Sequence, residues 1–310
     1  MKVYLGIDTS CYTTSVALLD EQGNLVADER RILKVKQDEC GLQQSEMVYQ
    51  HVRALPDLLE KVFLPDYEVV GIGVSERPRP LAESYMPAFL VGLGTAKTLA
   101  KALQVKLYLQ SHQENHLLAG LWSAKDFKSD RFIMLHASGG TTDVLLVESK
   151  GKNYSLTQIG GSIDLHAGQF IDRVGVALGL QFPAGVALEK LAQDAQVSVT
   201  LPVSVKDNTC SLSGPATHAL RLLEKGEDKA GLALGVEECL GKTFGRMLVN
   251  TAKSKDVRDV LLVGGVSAND YICDVCKNIL TKQGIAFHRA EAKYSSDGAV
   301  GNAYATLRNA

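Results

Sequence analysis

Two histidines four residues apart, in His112-Gln113-Glu114-Asn115-His116, are the side chains of this sequence best placed for chemistry. A third, His136, stands just ahead of the turn Ser138-Gly139-Gly140-Thr141-Thr142-Asp143. On a helix, positions i and i+4 share a face with Cβ atoms about 5–6 Å apart, so both imidazoles can reach one ion. The Ser-Gly-Gly turn is the kind of backbone that cradles phosphate. Together they point to a metal ion beside a nucleotide. A zincin protease needs H-E-x-x-H, with a glutamate next to the first ligand to activate water. Glu114 instead stands two residues from each histidine, about 200° around the helix, so the spacing argues against that chemistry.

The composition narrows the classes further. With 45% hydrophobic and 22% charged residues the chain reads as globular rather than disordered. A net charge of −2 gives no overall basic field, so nucleic acid would need a local patch, for which Arg77, Arg79, Lys97 and Lys101 are candidates. Met1 to Asp8 reads as a strand rather than a signal peptide, and no run of about 18 apolar residues predicts a membrane span. Six scattered cysteines do not make a secreted disulfide framework, and a reducing, cytoplasmic setting is expected. Cys273 and Cys276 fall three apart in a helical pattern, where they read as apolar face residues rather than ligands.

Strands and helices must position these groups. Val3–Asp8, a polar turn at Thr9–Thr14, Ser15–Asp20 and, after Gly23-Asn24, Leu25–Arg30 predict a strand meander. A helix is expected over Ser45–Phe63, bent or broken at Pro56, then a strand at Val69–Ser75 and a stiff loop Glu76–Pro80. A helix over Pro87–Leu103, with the small face Gly92, Ala96 and Ala100, precedes a strand Val105–Leu109 that delivers the chain to His112. The second half repeats the logic with strands Phe132–His136, Val144–Val147 and Asn153–Ile159. Helices are expected at 167–180 and 185–195, and the chain is expected to stay mostly helical to residue 255. Val260–Val263 then enters Gly264-Gly265 and a further helix. This order predicts an α/β protein of the actin-like ATPase fold, two ribonuclease-H-like halves with a nucleotide cleft. The expected division is 1–125, with a C-terminal helix at 296–310 packing back on it, and 126–295 with a helical insertion. A doubly wound dinucleotide fold is the alternative, but no G-x-G-x-x-G follows the first strand and no G-x-x-x-x-G-K-[ST] occurs.

Eight motifs in order carry a family resemblance over nearly the whole chain. They are Gly6-Ile-Asp-Thr9-Ser10-Cys11, His112-x-x-x-His116-Leu-Leu-Ala, Ser138-Gly-Gly140, Asp164…Ala167-Gly168…Asp172-Arg173, Pro183-Ala-Gly185…Leu188-Glu189-Lys190-Leu191, Ser211-Leu-Ser213-Gly214, Gly264-Gly-Val-x-Ala-Asn269 and Ser296-Asp297-Gly298-Ala299. The sequence resembles the TsaD-like threonylcarbamoyl-transferase family, formerly called glycoprotease or O-sialoglycoprotein endopeptidase. The resemblance implies one divalent metal ion, Zn or Fe, on His112, His116 and Asp297. His136 stands where one branch of the family adds a tyrosine ligand, which makes it a fourth candidate. It also implies ATP or an adenylate, with Ser138, Gly139 and Gly140 approaching phosphates through backbone N–H groups. Thr9 and Ser10 belong to the same nucleotide-binding set. Asp172 and Glu189 would hold ribose hydroxyls, Gly185 would let the chain pass the nucleoside, and Asn269, beyond Gly264 and Gly265, would meet the base or its ribose. His51, His166, His218 and His288 lack such context and read as structural.

The activity this implies is transfer of a threonylcarbamoyl group from its AMP anhydride to the N6 amine of a tRNA adenosine. The family's bacterial members work with a smaller paralogue and an ATPase, which are the expected partners beside adenine nucleotide and tRNA; no membrane partner is expected. No general base is assigned. The chain departs from the family where substrates would lie. Tyr12 and Thr13 replace two acidic residues, Ser75–Pro80 replaces a Gly-Pro-Gly turn, Leu165 and Gln169 replace further acidic positions, and Thr141 replaces a histidine. These departures mark a divergent paralogue. A non-catalytic ATP-binding scaffold, or carbamoyl transfer to another acceptor, is the alternative function.

Overall fold

The computed structural model describes residues 1–35, 41–124 and 127–310, which group into two compact units. The first comprises Met1–Lys125 and Asp297–Ala310, the second Asp126–Ser296. In the first unit β1 (Lys2–Asp8), β2 (Thr13–Asp20) and β3 (Leu25–Ile32) form an antiparallel meander. Helix α1 (Gln44–Val62) leads to β4 (Glu68–Arg77), and α2 (Phe89–Leu103) to β5 (Lys106–Ser111) and α3 (His112–Ser123). β4 pairs parallel with both β1 and β5, giving the order β3-β2-β1-β4-β5.

Alternation along β1 sets what covers each face. Val3, Leu5 and Ile7 join Leu55, Leu58 and Val62 of α1 and Ala96 and Ala100 of α2 in one core. Each fully buried Val, Leu or Ile side chain there contributes about 1.5–3 kcal/mol. On the opposite face β1 and β4 carry glycine. A Cβ on Gly6 would stand 2.1 Å from the Ala299 carbonyl oxygen, and one on Gly73 2.2 Å from that of Asn302. Lacking those atoms, the sheet receives the C-terminal helix in backbone contact. That docking places Asp297, just ahead of the helix, beside α3.

The second unit has β6 (Arg131–Ala137), β7 (Thr142–Lys150) and β8 (Asn153–Ser162), then α4 (Ala167–Ala177) and α5 (Gly185–Ala192). β9 (Ser204–Lys206), β10 (Thr209–Ser211), α6 (Ser213–Glu224) and α7 (Lys229–Lys255) follow. β11 (Asp259–Val263), a 3-10 turn at Gly265–Ala268, α8 (Asp270–Thr281), β12 (Ala286–Arg289) and α9 (Ala292–Ser295) complete it. The C-terminal helix, α10 (Val300–Asn309), belongs to the first unit. The second sheet runs β12-β11-β6-β7-β8-β10-β9. Its members β8-β7-β6-β11-β12 repeat the order and directions of the first sheet: antiparallel meander, then two parallel strands.

Three local details refine the expectations. Pro56 does not break α1, which runs through it. Pro56 is exposed, so water can reach the carbonyl its missing N–H leaves free. The segment Glu76-Arg77 is strand rather than loop, since β4 extends to Arg77. The stretch from 196 to 255 is mostly helical, as expected, through α6 and α7, but β9 and β10 add a short hairpin on the β8 edge. Among the described residues no helix is long and apolar enough to cross a membrane.

Candidate metal centre and glycine-rich turns

Helix α3 begins at His112 because Ser111 caps it. The Ser111 hydroxyl accepts from the Glu114 backbone N–H at 3.2 Å, and Glu114 Oε2 accepts from the Ser111 N–H at 2.7 Å. This capping box fixes the first turn, which carries the first histidine. It also engages Glu114 at the helix start, away from any role as a base.

His112 and His116 then face Asp297. His112 Nε2 lies 3.1 Å from His116 Nε2. Asp297 Oδ1 stands 3.4 Å from the first and 3.3 Å from the second. Both histidines are buried. Tetrahedral ligands with bonds of about 2.0–2.1 Å are separated by about 3.3–3.4 Å. The three donor atoms therefore have the spacing of one face of a tetrahedron around a small divalent ion. Among the described residues this is the group whose donors converge, all within 4.8 Å of one another. The donor set, two imidazoles and a carboxylate, fits a borderline cation.

The electrostatics agree. Burial alone pulls the His112 imidazolium down, but the carboxylates of Asp8 and Asp297 outweigh it and push the group up to about 10. Burial, reinforced by the neighbouring His112, lowers His116. Burial would raise Asp297, yet hydrogen bonds from His112 and His116 and their charge hold it well below the usual carboxylate range. The site thus favours a positive charge at its centre and a deprotonated carboxylate. Arg30 braces the same loop: it pairs bidentately with Asp28 at 3.0 Å for both bonds and donates to the Asp297 carbonyl at 3.3 Å.

Asp8 is the residue here that the sequence reading missed. It ends β1 fully buried, accepts a hydrogen bond from Ser10 Oγ, and places Oδ2 3.5 Å from His112 Nδ1. Its Oδ1 has no hydrogen-bond partner among the described residues. A carboxylate on the far ring nitrogen of a ligand histidine is the arrangement that fixes tautomer and ring orientation. A charged residue closing an apolar strand was the available signal. Cys11, next in the turn, is pushed up to about 12 by burial and by Asp297 and Asp8, so it stays a thiol.

Thr9 and Ser10, expected at the nucleotide, are fully buried in the first unit. Thr9 Oγ1 donates to the Ala88 carbonyl at 2.9 Å and accepts from Gly92 N–H at 3.0 Å, so its hydroxyl is occupied in seating α2. Tyr12, where the resemblance expects an acid, packs against Leu33, Met47 and Ala88. Arg77 is paired with Glu76 at 2.6 Å.

The remaining nucleotide candidates form a circuit within the second unit. Gly168 opens α4 against the Ser138–Gly140 turn, its N–H on the Ser138 carbonyl at 3.0 Å; a Cβ there would stand 2.6 Å from Gly139 Cα. Further along α4, Asp172 Oδ1 accepts from Ala184 N–H at 2.7 Å, beside Gly185. From α5, Glu189 Oε1 accepts from Asp270 N–H at 3.3 Å. Asn269 caps α8, accepting from Ile272 N–H at 2.8 Å. The circuit closes at Gly264, whose φ of 93° only glycine adopts readily and whose Cβ would stand 2.4 Å from the Ala137 carbonyl. Gly139, Gly140, Gly185 and Gly265 have open space where a Cβ would be. Gly139 and Gly140 do not have positive φ; what these glycines leave is room above the turn.

Burial raises both Asp172 and Glu189. Glu237, which the sequence reading also missed, is buried on α7 and accepts from Asn269 Nδ2 at 2.6 Å. Burial, only partly offset by that bond, pushes it up to about 7. A glutamate on the otherwise apolar face of α7 was the signal. Asp164 accepts from Ser211 Oγ, Ser213 Oγ and the Leu212 N–H, which binds two of the sequence motifs together. His136 ends β6 in the second unit, buried beside Gly264.

A family model described as tRNA N6-adenosine threonylcarbamoyltransferase matches residues 85–304. A protein of that name from Thermus thermophilus is 34% identical over 278 residues, covering 86% of this chain and 81% of its own. Its namesake from Thermococcus kodakarensis is 29% identical over 311 residues, covering 99% and 91%. Among solved structures, HypF of T. kodakarensis superposes with a TM-score of 0.61 at 15% identity, over 98% of this chain and 47% of that one. A glucokinase of the ROK family from Streptomyces griseus gives 0.56 at 12%, over 98% of each chain. At such identities the structural likenesses speak for the fold alone, the actin-like ATPase fold.

Proposed function

The chain belongs to the tRNA N6-adenosine threonylcarbamoyltransferase family, and from that membership we propose that it binds one Zn or Fe ion and an adenylate and transfers a threonylcarbamoyl group to the N6 amine of a tRNA adenosine. The observation that carries the reading is the triangle of His112 Nε2, His116 Nε2 and Asp297 Oδ1, with sides of 3.1, 3.3 and 3.4 Å. These three residues would hold the ion, which when bound acts as a Lewis acid toward an anionic oxygen of the donor.

The chain's own groups supply the rest. Asp8 orients His112 from behind, and Arg30 holds the Asp297 peptide. In the second unit, the Ser138–Gly140 turn offers backbone N–H groups with free space above them, suited to phosphate. Asp172 and Glu189 offer carboxylate oxygens for ribose hydroxyls, and Gly185 and Gly265 leave room for the nucleoside. An amine attacking an activated carbonyl needs orientation more than a strong base, and these residues orient. A cytoplasmic site of action and a smaller paralogue and an ATPase as partners belong to the same proposal.

A single observation favours a different acceptor. Tyr12 serves in packing where the resemblance expects a carboxylate, so a negative charge is missing beside the substrate turn. The decisive test incubates metal-loaded protein with threonylcarbamoyl-AMP and unmodified tRNA, and reads modified adenosine by mass spectrometry. Product formed by wild type and lost in His112→Ala supports transfer to tRNA. Metal and adenylate bound without product leaves the scaffold or another acceptor.

A further inference from the structure

The metal triangle joins two distant parts of the chain: two ligands on the first turns of α3 and one in the loop before α10. Something must hold that loop against the helix. Asn115 lies between the two histidines in sequence and is buried. Its Nδ2 donates to the carbonyl of Gly298, the residue after Asp297, at 2.7 Å. Its Oδ1 accepts the backbone N–H of Asn302 on α10 at 2.9 Å. Asn302 in turn donates from Nδ2 to the Ile7 carbonyl at 2.8 Å and to Ser75 Oγ at 2.9 Å, at the ends of β1 and β4. The helices touch through backbone here, since a Cβ on Gly301 would stand 1.9 Å from the Asn115 carbonyl oxygen.

We propose that Asn115 is a positioning residue for the metal centre, tying the Asp297–Gly298 peptide to the helix that carries His112 and His116. The inference rests on the metal-binding reading above. One side chain satisfies a loop carbonyl and a helix N–H at once, so the third ligand is set before any ion arrives. Preorganised ligands lose less freedom on binding, and partners just outside the ligand set typically alter metal affinity by about 10–100-fold. A polar residue that served only the core would affect folding and leave the ion untouched.

The test titrates Zn²⁺ against a chromogenic chelator and records the visible absorption of the Co²⁺-loaded protein, for wild type, His112→Ala, Asn115→Ala and Asn115→Asp. The melting temperature of each metal-free protein is followed in parallel. Asn115→Ala removes both bonds. Asn115→Asp keeps the acceptor for Asn302, removes the donor toward Gly298, and adds a negative charge that by itself favours a cation. Weaker Zn²⁺ binding in Asn115→Asp therefore reports the lost tether. The expected result is affinity about 10–100-fold lower in both variants, with altered Co²⁺ bands. Should Asn115→Ala fail to fold, Asn115→Asp carries the comparison. Wild-type affinity and Co²⁺ bands in the folded variants, or tighter binding in Asn115→Asp, would overturn the inference while His112→Ala still loses the ion. A wild type that takes up no Zn²⁺ overturns the metal reading itself, and the inference with it.

Discussion

The carboxyl of Glu237 holds its proton in the folded protein at pH values where the unfolded chain has lost it. Its ordinary value is 4.5, and burial on α7 pushes it up to about 7. Below the lower value both states are protonated and nothing is lost. Between the two the folded state binds more protons, so its stability falls as pH rises, and the loss is complete above the upper value. Glu237→Gln removes this slope and still offers Asn269 an acceptor. Melting temperatures should show the variant gaining on wild type from about pH 4.5 to about pH 7; curves that stay parallel would contradict the assignment. Asp8 makes the second prediction. Asp8→Asn removes the charge 3.5 Å from His112 Nδ1 and should weaken Zn²⁺ binding about 10–100-fold in a chelator titration. Unchanged affinity would mean that His112 is oriented by packing alone. Each left only a weak mark in the sequence, a charge closing an apolar strand and a glutamate on an apolar helix face, because burial and proximity across the fold give them their importance.

The start of α3 is where a single element sets the site. Ser111 and Glu114 satisfy N–H groups of the turn that presents His112. Ser111→Ala should cost about 1 kcal/mol of stability and loosen that turn. Thermal melting together with Zn²⁺ affinity checks it: both should fall, and a melt unchanged from wild type would show the cap to be dispensable. The histidine helix was legible because the i, i+4 spacing is a property of any helix, and its ligand atoms do meet. The capping role of Glu114 was present in the sequence as the helix-start pattern Ser-x-x-Glu at 111–114, though its place between two histidines suggests a base instead. Pro56 shows the converse. Its place in the sequence suggested a bend or a break, but exposure lets solvent satisfy the backbone, and α1 continues unbroken.

At the scale of the molecule, the duplicated strand order was readable from two meanders, each followed by strands alternating with helices. The glycines of β1 and β4 gave less away. Only the docked α10 shows that Gly6 and Gly73 are there to admit a helix backbone, and that this contact carries Asp297 to α3. The short β9–β10 hairpin escaped notice because three-residue strands leave no periodic pattern. Likeness by sequence to the threonylcarbamoyltransferases, and topology shared with actin-like ATPases, meet in one chain whose converging histidine and aspartate donors are set by the docking of its last helix.

Metal content is the most direct test of the site. Wild type, His112→Ala, His116→Ala and Asp297→Ala, each dialysed against Zn²⁺ and then against metal-free buffer, are assayed by inductively coupled plasma mass spectrometry with circular dichroism as the folding control. About one tightly held equivalent is expected in wild type and near none in the folded variants. A metal-free wild type, or an equivalent retained in all three variants, would contradict it.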